Sequence, residues 1–74
     1  MEKLYNLERI RKEKGLTRKE LSEKSGIAEI TILSLEQGKT DVMNIKLSTL
    51  INLAVALNVK VIDLLDSDLI RIIV

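Results

Sequence analysis

The side chains of this 74-residue chain that could do chemistry are acids and bases with no nucleophilic or metal-binding partner. There is no His and no Cys, so the usual general base near neutral pH, the thiolate nucleophile and the imidazole ligand are all missing. Glu20, Glu23, Asp63, Asp66 and Asp68 do not fall at metal-ligand spacing, and no Gly-rich phosphate loop occurs. They read as helix caps and solvated faces, so an enzyme is set aside, and with it a cofactor, a metal and a small-molecule substrate. What remains is charge. The chain carries a net +1, split into +2 over residues 1–40 and −1 over residues 41–74. Basic side chains therefore gather in the first half, with an excess smaller than a strongly basic nucleic-acid binder would carry.

Those charges need elements to hold them. Seventy-four residues make one domain, which buries only about 60% of the surface its unfolded form exposes, so the core must be economical. With 46% apolar and 31% charged residues, no Pro and three Gly, the composition suits a helical bundle. The absence of Cys fits an intracellular protein. No apolar run approaches the roughly 20 residues that span a bilayer, and the start is not signal-like. The expectation is a soluble cytoplasmic protein.

The strongest start signal lies at Thr17, with Glu20 three residues on: a capping box, with Leu16 and Leu21 at the staple positions. Gly26 can take the positive φ that ends a helix, giving a short helix 2 over about Arg18–Ser25. Ile27 and Ile32 then staple a restart around Ala28, a poor N-cap, and Gly38 closes helix 3 at about Glu29–Gln37. Upstream, Asn6 reads as the N-cap of helix 1, with Tyr5 and Ile10 as its staple and Gly15 as its stop after Lys14. Downstream, Lys39–Lys46 reads as a loop folding Val42, Met43 and Ile45 onto the core. Leu47, Leu50, Leu53, Ala54 and Leu57 mark helix 4, stopped at Asn58, and Val61–Leu65 suggests a short helix 5. The tail from Leu69 to Val74 is dominated by β-branched residues, as in a strand. It either covers the core or pairs with something.

Taken in order, these pieces match a known pattern. Leu7, Ile10 and Arg11 lead to Lys14-Gly15-Leu16-Thr17, then Glu20-Leu21, Gly26-Ile27, Thr31-Ile32, Leu35-Glu36 and Gly38-Lys39. Leu47-Ser48-Thr49-Leu50, Leu53-Ala54, Ala56-Leu57-Asn58-Val59 and Leu64-Leu65 complete it. Over residues 6–66 the chain resembles the phage-repressor and Cro-like helix-turn-helix proteins of the Xre type. The resemblance implies an all-α, five-helix domain of the lambda-repressor kind over residues 1–66, with residues 67–74 as an apolar tail and candidate short β-strand.

It also implies a function. Relatives place helix 3 in the DNA major groove and helix 2 across the backbone. By position, Ala28, Glu29, Ile30 and Ser34 would face base edges, and Thr17, Arg18, Thr31, Gln37, Lys39 and Thr40 would sit near phosphates. Arg18 and Lys39 can neutralise phosphate charge, and hydroxyls can donate to it. Arg11 and Glu36 stand where relatives form an ion pair tying helix 1 to the end of helix 3. The departures are chemical. Arg18 replaces a usual Gln, and Ser22 a common Ala. Ala28 and Ile30 cannot hydrogen-bond through their side chains, whereas Glu29 can accept from cytosine N4 and Ile30 can touch a thymine methyl. Leu33, an i, i+3 neighbour of Ile30, would cover helix 4 or a partner. The loop after Gly38 is longer than the common form and lacks its frequent Pro.

The resulting expectation is a sequence-specific transcriptional regulator, a repressor, binding double-stranded operator DNA as a homodimer. Leu69, Ile70, Ile72, Ile73 and Val74 would help make the dimer, as an intersubunit β-ribbon or a swapped segment. The alternative for the tail is packing on its own core. The alternative for the whole chain is a protein-interaction module that keeps the fold without strong DNA binding.

Overall fold

The computed structural model describes residues 5–39 and 45–65, the side chain of Tyr5 excepted. Four α-helices and one 3-10 turn follow in order: α1 (Tyr5–Glu13), α2 (Arg18–Ser25), α3 (Glu29–Gln37), α4 (Leu47–Leu57) and the turn Val61–Leu64. The described residues are otherwise turn and loop. The candidate tail strand, together with Thr40, Val42 and Met43, lies outside the described residues.

Local chemistry explains the short helices. The Thr17 hydroxyl oxygen accepts from the Glu20 amide at 3.1 Å, and the Glu20 carboxylate accepts from the Thr17 amide at 2.9 Å. Two donors that a helix start leaves without partners are thereby satisfied. Gly26 ends α2 at φ 74°, its N–H reaching the Ser22 carbonyl. That left-handed backbone turns the chain within three residues into α3. Ala28 gives α3 no side-chain cap, and Gly38 closes it, again at φ 74°. Asn58 closes α4 at φ 56°, one of the few side chains that tolerate this conformation.

An eight-residue helix is unstable alone. The assembly holds because each helix contributes to one aliphatic core: Leu7 and Ile10 from α1, Leu21 from α2, Ile32 and Leu35 from α3, Leu50, Leu53, Ala54 and Leu57 from α4, and Leu64. α2 packs against both α3 and α4, while α1 packs against α3 and the 3-10 turn. Leu16, Ile27, Ile45, Val59 and Val61 close the margins of the core.

Four expectations are corrected. The fifth helix is a single 3-10 turn, with i to i+3 bonds from Asp63 N to the Lys60 carbonyl (3.0 Å) and from Leu65 N to the Ile62 carbonyl (3.2 Å). Four residues are too few to propagate α-helical bonding, and the tighter turn satisfies them. The five-helix count therefore becomes four α-helices and a turn. Asn6 is not an N-cap: it lies inside α1, and its Nδ2 donates to the Leu65 carbonyl at 2.9 Å, fastening the start of the domain to its far end. Helix α1 stops at Glu13, one residue short of the expected Lys14. Leu47 does not face the core but is 65% exposed, and with Ile51 and Val55 it forms an outward ridge on α4.

Candidate nucleic-acid interface

The outward face of α3 is held in position from below by one carboxylate. The Glu36 side chain is fully buried on the inner side of α3. Its Oε2 accepts from Arg11 Nε at 2.7 Å and its Oε1 from Arg11 Nη2 at 3.3 Å, the two-pronged geometry that favours arginine. Oε1 also accepts from Arg18 Nε at 2.7 Å. Arg11 has a further bond, from Nη1 to the Leu16 carbonyl at 2.8 Å. Glu36 of α3 thus grips Arg11 of α1 and Arg18 of α2 together, and Arg11 fixes the loop between those two helices. Among the described residues no buried side-chain nitrogen or oxygen lacks a hydrogen-bond partner.

Arg18, expected from the sequence as a phosphate-facing cation, is bonded to Glu36, a partner its local sequence does not announce. A signal was available. One buried carboxylate offers lone pairs for several donors, and Arg18 opens the helix that packs against α3. The Arg18 side chain is 36% exposed, and its Nη2 also lies 3.8 Å from Glu8 Oε2. Glu8 is held below the usual carboxylate pKa, first by the hydrogen bond and charge of Lys12, at 3.2 Å, and then by Arg11 and Arg18. Arg11, Lys12 and Arg18 share the two carboxylates Glu8 and Glu36 in this cluster, so the charge of Arg18 is already partly engaged.

Above the clamp, Ala28, Glu29 and Ile30 are exposed, Ile30 by 68%, while Thr31, Leu33 and Ser34 are half-buried. Gln37 and Lys39 are exposed at the far end of α3. Arg18, Glu29, Ile30 and Leu33 line an open concavity of about 330 Å³ between α2 and α3. Leu33, expected to cover helix 4 or a partner, is half-buried and forms a wall of this hollow. The face therefore offers one carboxylate, the two half-buried hydroxyls of Thr31 and Ser34 and an apolar patch, flanked by an arginine whose Nε is already bonded.

Thr17 is exposed, but its oxygen and amide are both engaged with Glu20. Glu20 is likewise held below the usual carboxylate range, chiefly by the bond from the Thr17 backbone and then by the Thr17 side chain. An ionised carboxylate thus sits at the start of α2, where it satisfies the helix end and opposes an incoming anion. Thr40, expected beside a phosphate, lies outside the described residues.

Among the described residues, no group of three or more His, Cys, Asp or Glu side chains could hold a metal ion, and no helix is long and apolar enough to cross a membrane. A family model for helix-turn-helix proteins matches residues 7–64, from the first core leucine of α1 to the end of the 3-10 turn. Neither the curated proteins nor the solved structures yield a significant match.

Proposed function

Because the chain belongs to the Xre/Cro-like helix-turn-helix family of DNA-binding regulators, we propose that it is a sequence-specific repressor whose α3 enters the major groove of operator DNA. The observation that carries this reading is the pairing of a rigidly held α3, clamped through Glu36, with an outer face left open to solvent. In this pose Ala28, Glu29, Ile30 and Ser34 meet base edges. Thr17, Arg18, Thr31, Gln37, Lys39 and Thr40 lie toward phosphates. With Arg18 held by Glu36 and Glu8, Lys39 becomes the principal phosphate cation of this set. Such a protein works where the DNA is, in the cytoplasm.

The chemistry of the face narrows what it can read. The apolar feature of the major groove is the thymine C5-methyl, and the donor that matches a carboxylate is cytosine N4. Ile30 and Leu33 suit the first, and Glu29 suits the second. With so few polar contacts, DNA shape and deformability supply part of the selectivity. A single α3 spans too few base pairs to select a site in a genome, so the protein acts as a homodimer on half-sites about 34 Å apart. Residues 69–74 contribute to that dimer.

The test is selection from random duplexes, followed by fluorescence anisotropy of the enriched sequence across a salt series. The expected result is an enriched palindrome containing thymine and cytosine, bound with a steep salt dependence. No enrichment, and no binding to any duplex at low salt, would refute the proposal. It would favour a protein-interaction module instead, a reading supported by the apolar hollow between Ile30 and Leu33.

A further inference from the structure

Glu29, Ile30 and Leu33 of α3, with Arg18 of α2, line one hollow of about 330 Å³. Glu29 and Leu33 are i, i+4 neighbours, and Ile30 and Leu33 are i, i+3 neighbours, so a carboxylate and two apolar side chains share one face. Glu29 and Ile30 are exposed, and Leu33 is half-buried. Among the described residues the Glu29 carboxylate has no salt-bridge partner. An acceptor therefore stands open beside an apolar wall.

What fits such a hollow presents a hydrogen-bond donor next to an apolar group. In the major groove the ordinary bases divide these features between them. Cytosine offers the N4–H donor but no methyl. Thymine offers the C5-methyl, but its neighbouring O4 is an acceptor, which a carboxylate repels. Adenine sets its N6–H donor beside the N7 acceptor and has no methyl, and guanine offers acceptors alone. One modified base joins the two features. In 5-methylcytosine the amino group and the methyl sit on adjacent ring atoms, and one N4–H still points into the groove. N6-methyladenine and N4-methylcytosine differ: in a duplex the methyl takes the groove-facing place, and the remaining N–H is used by the base pair.

We propose that this hollow reads 5-methylcytosine, with Glu29 accepting from N4–H while Ile30 and Leu33 enclose the C5-methyl. This rests on the DNA-binding reading above and names the base that its α3 face selects. Arg18, on the facing wall, partly offsets the repulsion between Glu29 and the phosphates. On unmethylated DNA the two contacts go to separate bases, a thymine and a cytosine. Methylation brings them together on one.

The test runs selection in parallel from random duplexes made with cytosine and with 5-methylcytosine. Each cytosine of the enriched site is then replaced in turn by 5-methylcytosine, N4-methylcytosine or thymine, and binding of the full chain is measured by fluorescence anisotropy at fixed salt. At one position of each half-site, 5-methylcytosine should bind about fourfold tighter than cytosine, the worth of one buried methyl. Thymine there should bind about tenfold more weakly than cytosine, and N4-methylcytosine should also weaken binding. Ile30→Ala should cancel most of the methyl gain at that position while the preference for cytosine over thymine persists. Glu29→Gln should do the reverse, because an amide can donate to O4 as well as accept from N4. Binding with no position at which 5-methylcytosine surpasses both cytosine and thymine overturns the proposal and leaves the DNA reading standing. A methyl gain untouched by Ile30→Ala overturns it too. Binding to no duplex, methylated or unmethylated, overturns both.

Discussion

Glu36→Gln should remove a large part of the domain's stability, and the reason can be worked from its three bonds. The substitution keeps the shape of the side chain but removes the negative charge facing two guanidinium groups. Arg18 is 36% exposed and can turn its charge toward water and Glu8. Arg11 cannot, because its side chain is only 7% exposed and is also bonded to the Leu16 carbonyl. Breaking a buried ion pair by removing one partner costs about 3–5 kcal/mol. With one of the two cations able to escape, about 3 kcal/mol is expected. A domain of this size has roughly 4–11 kcal/mol of total stability. The same logic orders the other variants. Arg11→Met should cost about as much as Glu36→Gln, and Arg18→Met about 1 kcal/mol or less, since the residual Arg11–Glu36 pair is complete. The assay is urea unfolding followed by circular dichroism. With a slope near 1 kcal/mol per molar, Glu36→Gln should move the midpoint by about 3 M and Arg18→Met by about 1 M or less. If Arg18→Met costs as much as Arg11→Met, or Glu36→Gln costs less than about 1 kcal/mol, the clamp does not work as described.

Other outcomes follow from the same geometry. Thr17→Ala removes the cap of α2 and should lower stability by about 1 kcal/mol, visible as a fall in Tm. Both Glu8 and Glu20 have carboxyl pKa values below the ordinary one, so their contribution is complete above the unfolded pKa and is lost as pH falls through the folded values. Stability measured from neutral pH down into the acid range should therefore fall below about pH 4.3, and less steeply in Glu20→Gln. In the DNA-bound state, Lys39→Ala should weaken all sequences alike and reduce the salt slope by about 0.9. Ile30→Ala should spare that slope. It should instead erase the preference for thymine over uracil at one position of the selected site, and a preference that survives would remove the methyl contact.

How much of this could be read beforehand depended on whether the deciding interaction was local. The bounds of α2 and α3 are written in neighbouring residues: Thr17 and Glu20, the stapled pairs around Thr17 and Ala28, and the glycines at 26 and 38. Asn6 misled because its amide is used 59 residues away, at Leu65, where no local rule reaches. Arg18 misled for the same reason, its partner being on another helix. In α4 the trouble was abundance. With Leu47, Leu50, Ile51, Leu53, Val55 and Leu57 on eleven residues, apolar positions fall on almost every face, and periodicity cannot say which face is inward. Leu47, which shares the helical spacing of Leu50, Leu53, Ala54 and Leu57, is therefore not told apart from them by sequence, although it is 65% exposed. The 3-10 turn had the right residues for a helix but too little length. On the outer face of α3, Ala28, Glu29, Ile30 and Ser34 are expected at base edges only by position through resemblance, and side-chain chemistry limits what they can contact. The hollow formed with Leu33 and Arg18 needed three dimensions.

The clamp on Glu36 has one more consequence. Everything that orients α3 — Ile32, Leu35 and Glu36 — lies beneath the helix, whereas Ala28, Glu29 and Ile30 stand clear of the core and form no part of the clamp. Foundation and lettering are therefore separate. New side chains can be installed at Ile30 with little effect on the folding of the domain, whereas Ala28 is the N-cap of α3 and Glu29 lies in its first turn, where side-chain type changes helix stability. If α3 reads DNA as proposed, a change at Ile30 would alter what the face contacts while leaving the clamp beneath it in place.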